Sequence, residues 1–188
     1  MCPMKQVQAK YTKQEKKMFG VFKRNSELPW ITEAKSVFGL HETRDNAKLK
    51  QWLRSDGKTL GDPKALAWCA DFCESAIKNA LPDEPFLGPL GKNPYWARNW
   101  LYFGESTQPV YGCILVFSRG SGGHVGFAVG EDSDEYYVLG GNQSNSVNIS
   151  RISKSRLLGA RWPKTYKNPM RELPQMSANN IPKSTNEF

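Results

Sequence analysis

Histidine is nearly missing from this chain: there are two in 188 residues, His41 and His124. Cysteine is scarce too, with four, at positions 2, 69, 73 and 113. That spacing builds no small disulfide framework, and 39% hydrophobic with 12% aromatic residues supplies core enough not to need one. Reduced thiols are therefore expected. Acidic residues are outnumbered, 18 against 26 Lys and Arg, for a net charge of +8 that favours an anionic surface or polymer as partner. The basic residues are scattered, and no motif organises them to read DNA or RNA, so no nucleic-acid partner is expected. Nowhere do eighteen apolar residues follow one another, and residues 1–17 hold no apolar run of the secretory kind. Neither Sec export nor stable membrane insertion is expected.

What is there falls into three parts. Residues 1–28 are polar and lysine-rich, with Met18, Phe19, Val21 and Phe22 as an apolar cluster on a basic arm. Residues 29–162 carry the periodic pattern of one catalytic-size domain, and residues 163–188, rich in Pro, Asn, Ser and Lys, read as an extended or mobile tail. In the central part, Trp30, Ile31, Ala34, Val37 and Phe38 recur at helical spacing between Pro29 and Gly39. A second amphipathic helix is predicted over 46–53. The broadest apolar face, Ala65, Trp68, Cys69, Phe72, Cys73, Ala76, Ile77 and Ala80, predicts a buried helix over 63–81. A surface loop over 81–93 and a short aromatic helix over 95–103 follow. After Pro109 the period shifts to that of strands, at 114–117, 124–129, 136–139, 147–152 and 157–162, joined by turns short enough for an antiparallel meander. The fold class is α+β.

Chemistry concentrates at few residues. A thiol is nucleophilic as thiolate, and a helix N-terminus and an adjacent imidazole both lower its pKa. Cys69 lies near the start of the buried helix, and the imidazole has two candidates. His124 sits in Gly122–Gly123–His124–Val125–Gly126, where glycines let substrate and backbone approach the ring, whereas His41 sits in a polar stretch suited to capping. The base needs a partner on its other ring nitrogen. Asn142 or Gln143, at the end of the next strand, is placed to supply it, and strand alternation leaves the choice open until the register is known.

These residues carry a resemblance. Pro29–Trp30, Trp68–Cys69–Ala70–Asp71–Phe72, Ala97–Arg98–Asn99–Trp100, Ile114–Leu115–Val116–Phe117, Gly123–His124–Val125–Gly126–Phe127, Leu139–Gly140–Gly141–Asn142–Gln143 and Ser155–Arg156–Leu157–Leu158–Gly159 follow one another as in the NlpC-type and CHAP-type cell-wall peptidases. The sequence resembles most a phage and prophage branch of them, over about 29–162. The resemblance implies a papain-like fold in which a nucleophile helix packs on an antiparallel sheet. It implies hydrolysis of an amide bond in bacterial peptidoglycan, within the stem peptide or at the muramoyl–alanine link. Matched residue by residue, Cys69 is the nucleophile, His124 the base and Asn142 the third member. A leaderless cationic hydrolase of this kind fits a phage lysin first, and also a virion-carried wall-penetrating enzyme or an injected antibacterial effector, acting in the wall or periplasm as a monomer and without cofactor or metal. One departure stands out: a Gly-Asp pair common in the family reads Gly112–Cys113 here.

Around these motifs Trp68, Tyr95, Trp96 and Trp100 offer rings for stacking on substrate, with core packing the favoured reading of Trp68 and Trp100, while Arg98 offers a partner for a stem-peptide carboxylate and Gln143 a polar contact. Three rival readings use the same sequence. Cys69, Cys73, Cys113 and His124 make a Cys₃His zinc set if the fold gathers them. Glu33 and Glu42 make a glycosidase pair if they face one cleft. A non-catalytic envelope-binding module needs neither, and keeps Cys69 as core.

Overall fold

A computed structural model of the chain describes residues 27–178 and 181–184. The apolar cluster of the basic arm, Met18 to Phe22, lies outside them. Helix α1 (Pro29–Lys35) opens on proline, which has no N–H to leave unpaired in a first turn, and buries Trp30, Ile31 and Ala34. It is one turn shorter than the apolar spacing predicts, and Phe38, beyond its end, is 54% exposed. Trp30 is the anchor: its indole N–H donates to Gly112 O at 2.8 Å, and its ring meets Trp162 and Tyr166 edge to face. Helix α2 (Asn46–Leu53) has the expected bounds and buries Leu49 and Leu53. Trp52, next in the stripe, is partly buried and donates its indole N–H to Glu33 at 2.9 Å, while Ala47 faces out.

Helix α3 (Cys69–Ala80) is the central one, and it begins six residues later than the periodicity suggests. Residues 63–68 form turns with Leu66 exposed, because Asp71 reaches back to accept from Thr59 Oγ1 and Leu60 N, both at 3.0 Å, and draws the preceding loop under the helix. The expected loop over 81–93 contains a short helix, α4 (Gly88–Lys92), and the aromatic helix that follows is a tighter 3-10 helix over Ala97–Tyr102.

Six strands follow: β1 (Glu105–Thr107), β2 (Ile114–Arg119), β3 (Gly122–Glu131), β4 (Glu135–Gln143), β5 (Ser146–Ser153) and β6 (Leu157–Trp162). They form one antiparallel sheet in the order β1-β6-β2-β3-β4-β5. The meander holds from β2 to β5 and then breaks. β6 pairs with β2, and β1, which the sequence pattern did not announce, extends that edge. β5 and β6 are four places apart yet joined by the three residues of a 3-10 turn, Lys154–Arg156. Four strand spacings come to about 19 Å and the link spans about 14 Å at most, so the sheet curls toward closure. Arg156 Nε donates to Ser118 O and Ser118 Oγ to Arg156 O, which ties the link to the end of β2. Strands β2 to β4 are almost wholly buried, as befits a sheet with helices on one face and its own curl on the other.

The segment after Trp162 is irregular but docked. Its backbone joins the sheet at Glu131–Gln175 and Arg151–Lys183, and Leu173 is buried. Residues 182–184 thereby cover the outer edge of β5, an edge that would otherwise present unpaired amides.

Candidate active site

α3 lies across β3 and β4, with the Phe72 ring 6.0 Å from that of Phe127. Its first turn sits over the end of β4. A Cβ on Gly141 would fall 2.5 Å from the Trp68 ring and 2.7 Å from Phe72 Cβ, so the residues on either side of Cys69 rest on the backbone of Gly141 and tolerate no side chain there. Cys69 is the first residue of the helix and 3% exposed. The helix's own hydrogen bonding begins with Phe72 N to Trp68 O at 2.9 Å, which directs the earlier amides off the N-terminus.

His124 is in β3, fully buried, opposite Phe117 of β2. Its Nε2 is 3.0 Å from Gln143 Oε1. The amide orientation follows from the rest of the network. Gln143 Nε2 donates to Val138 O (3.1 Å), Asn148 O (2.8 Å) and Asn148 Oδ1 (3.0 Å), and Asn148 Nδ2 donates back to Gln143 O at 2.6 Å. The NH₂ end of Gln143 is thus committed, and the end facing the ring is the acceptor. A ring nitrogen facing an acceptor carries the proton, so Nε2 is N–H and Nδ1 is the unprotonated nitrogen. Of the two residues that the sequence left open as partners of the ring, it is Gln143, also set there among substrate contacts, that hydrogen-bonds His124, where the family resemblance implied Asn142.

The reason is local. Continuing the Phe127↔Leu139 pairing for three residues would set Asn142 opposite His124, on the same face. The β4–β5 register slips between Gly140 and Gln143, and Asn142 takes a left-handed backbone, φ 55°. That one irregular residue turns Gln143 toward the ring. Gly140 makes room for it, since a Cβ there would lie 2.8 Å from Gln143 Oε1. Asn142, 5% exposed, instead lines a pocket of about 180 Å³ with Glu42, Lys64, Ala67 and Asn145, next to the chain entering Cys69.

The expected substrate contacts divide. Trp68 is 1% exposed and donates its indole N–H to Glu42 at 2.8 Å, so of its two readings it takes the core one. Arg98 grips the turn that precedes His124, donating from Nε to Gly122 O (2.6 Å) and from Nη2 to Gly120 O (3.3 Å), so it holds the hairpin and is not directed at a ligand carboxylate. Trp96 is 49% exposed and Tyr95 partly so. His41 serves its own turn, with Nδ1 accepting from Thr43 N at 3.1 Å.

The rival constellations are not assembled. Among the described residues no three His, Cys, Asp or Glu side chains are placed to hold a metal ion. Burial pushes the Cys113 thiol up to about 12 and Cys73 well above its ordinary value, with the neighbouring Cys69 adding to the latter. Cys113, of the Gly112–Cys113 pair, is a packed core thiol, its Sγ accepting from Val110 N at 3.4 Å. Glu33 accepts from Trp52 and Asn79, and Glu42 from Trp68, so both carboxylates tie elements of the fold together.

Residues 61–142 match the family model described as the CHAP domain. Over this segment, 82 of its 188 residues, the chain is similar to CHAP domains. The segment contains Cys69 and His124 and stops one residue short of Gln143, while α1, α2 and the last two strands, outside the match, complete the same papain-like α+β architecture. Among curated proteins, none matches the chain. CHAP domains are generally cysteine- and histidine-dependent hydrolases of peptidoglycan, amidases or peptidases, and the domain suggests that class of activity here. No helix among the described residues is long and apolar enough to cross a membrane.

Proposed function

We propose that this protein hydrolyses an amide bond in peptidoglycan stem peptides or at the muramoyl–alanine link, with Cys69 as nucleophile, His124 as base and Gln143 as the group that orients the ring. The observation that carries the reading is the His124–Gln143 contact, in which a locked amide dictates the imidazole tautomer. In the mechanism, Nδ1 takes the Cys69 proton and the thiolate attacks the scissile carbonyl. The developing oxyanion is held off the N-terminus of α3, where the backbone amide of Cys69 is directed. The imidazolium returns its proton to the leaving amine, and a water activated by the same nitrogen then hydrolyses the thioester. Gln143 Oε1 keeps its bond to Nε2–H throughout and stabilises the charged ring.

Asn142 has a different part in this reading. Its side chain makes no hydrogen bond among the described residues, and its strained backbone aims it at the pocket beside Ala67, so its amide is offered to the substrate's own peptide groups. The +8 charge favours the anionic wall as a whole, and the likeness to phage hydrolases makes a lysin our choice of delivery.

Cys69→Ala and His124→Ala are each expected to abolish release of muropeptides from purified walls with circular dichroism unchanged. Persistent hydrolysis by Cys69→Ala would refute the assignment. Mass analysis of the products identifies the bond. Cells expressing the protein internally are expected to lyse only once the membrane is permeabilised, and lysis without that step would exclude the lysin route.

A further inference from the structure

The turn between β4 and β5 is paired with residues 39–42: Gly39 N donates to Val147 O at 2.8 Å, Val147 N to Leu40 O at 2.9 Å and Glu42 N to Asn145 O at 2.9 Å. This holds the backbone of Glu42 against the pocket of about 180 Å³ that Asn142 also lines. The Trp68 indole holds the side chain, donating to Oε2 at 2.8 Å. An indole N–H is satisfied by any neutral acceptor, yet here it takes one oxygen of a charged group. The other oxygen, Oε1, has no hydrogen bond and the carboxylate no ion pair among the described residues, in a chain with 26 Lys and Arg. Lys64, the one cation among the described residues of the pocket wall, is exposed and not paired with it. Asn142 is a second unpartnered group, 5% exposed and with its side-chain amide bonded to nothing among the described residues. The pocket adjoins the proposed catalytic residues. Ala67, in its wall, is two residues before Cys69, and Asn142 stands between Gly141, on which the first turn of α3 rests, and Gln143, which holds the His124 ring. Its volume is below the roughly 300 Å³ at which pockets for whole small molecules begin, so it admits one substrate side chain.

We propose that this pocket is the part of the cysteine cleft that selects a substrate side chain ending in a primary ammonium. Glu42 Oε1 accepts from the ammonium, Asn142 exchanges hydrogen bonds with the peptide group beside it, and Glu42 is thereby a specificity-determining residue. The inference rests on the hydrolase reading and names its substrate, a stem peptide whose diamino acid has its side-chain amine free. Acylation of that amine in a cross-bridge removes the charge, so uncross-linked stems are the preferred substrate.

The test is binding of three peptides to the full chain carrying Cys69→Ala, followed by amide chemical shifts: L-alanyl-γ-D-glutamyl-L-lysine, the same peptide with norleucine for lysine, and its Nε-acetyl-lysine form. Norleucine removes the charge without adding bulk. The lysine peptide is expected to shift residues 42, 67, 142 and 145 and to bind about five- to tenfold tighter than the other two, the size of one ion pair at a partly desolvated site. Glu42→Gln keeps an acceptor for the Trp68 indole and should erase that preference while leaving the affinity of the norleucine peptide unchanged, which the loss of a merely structural contact would not do. The proposal is overturned if no peptide shifts these residues, if the three bind alike, or if the preference survives Glu42→Gln. Release of muropeptides by the wild type is measured in parallel. Release without preference for the lysine peptide sinks the subsite and leaves the hydrolase, whereas the preference without release sinks the hydrolase and leaves the pocket as a peptide-binding site.

Discussion

Gln143 carries more of the candidate chemistry than its place at the end of a strand suggests. Its amide bridges β4, β5 and the ring of His124, so removing it leaves the base free to choose the wrong tautomer. Gln143→Ala is expected to lower kcat/KM on wall fragments by roughly 10²-fold, the low end for loss of a proton-transfer arrangement. Gly140→Ala should approach the same loss without touching a polar group, because the new methyl meets Gln143 Oε1. Asn142→Ala should act chiefly on KM, as a substrate contact does. Steady-state kinetics on one fragment separates the three. The thiols give an independent check. Cys69 should react with iodoacetamide near neutral pH while Cys73 and Cys113, with thiols pushed far up by burial, stay unlabelled, as peptide mass mapping would show.

At the scale of the element, α3 combines the proposed nucleophile at its first residue with two buried acids, Asp71 and Glu74. Asp71 and Glu74 have folded pKa values of about 6 and about 8, both above the ordinary carboxylate range. A raised folded pKa means that the native state holds protons the unfolded chain has released. Stability therefore falls as pH climbs from about 4 to about 8, over the windows of Asp71 and Glu74 together up to about 6 and over that of Glu74 alone beyond it. Glu74→Gln should leave the melting temperature near pH 4 unchanged and raise it by several degrees near pH 8.5, equivalent to about 1–2 kcal/mol after screening. Thermal melts across that range check both the sign and the window. The late start of the helix belongs to this element too, since it depends on Asp71 drawing in residues 59–60.

The molecule as a whole is closed by its last segment. Glu84, fully buried, accepts from Lys164 N at 2.6 Å, Thr165 N at 2.8 Å and the Thr165 hydroxyl, so a buried carboxyl group fixes where the tail begins. Farther on, Lys183 and Arg151 both reach Glu135, and residues 182–184 occupy the rim of β5. Glu84→Ala is expected to cost about 2–3 kcal/mol in urea unfolding, the range for charge-assisted bonds whose buried partners are left unmet. Deleting residues 163–188 should cost more and expose the β5 edge, with self-association visible by light scattering.

The linear pattern sufficed for what depends on neighbours along the chain. Apolar spacing located α2 and five of the six strands. The scarcity of histidine, with glycines around His124, narrowed the base to one ring, and a run of short motifs pointed to the family. What required the folded chain is every feature set by contacts between distant segments. Asp71 and the loop it captures decide that α3 starts at Cys69. A slipped register and one left-handed residue decide that Gln143, and not Asn142, meets the imidazole. The curl of the sheet decides that β6 returns to β2. Periodicity records which side of an element is apolar, but a single-residue bulge reverses the faces of a strand without altering composition, and that reversal is visible only where the strands pair.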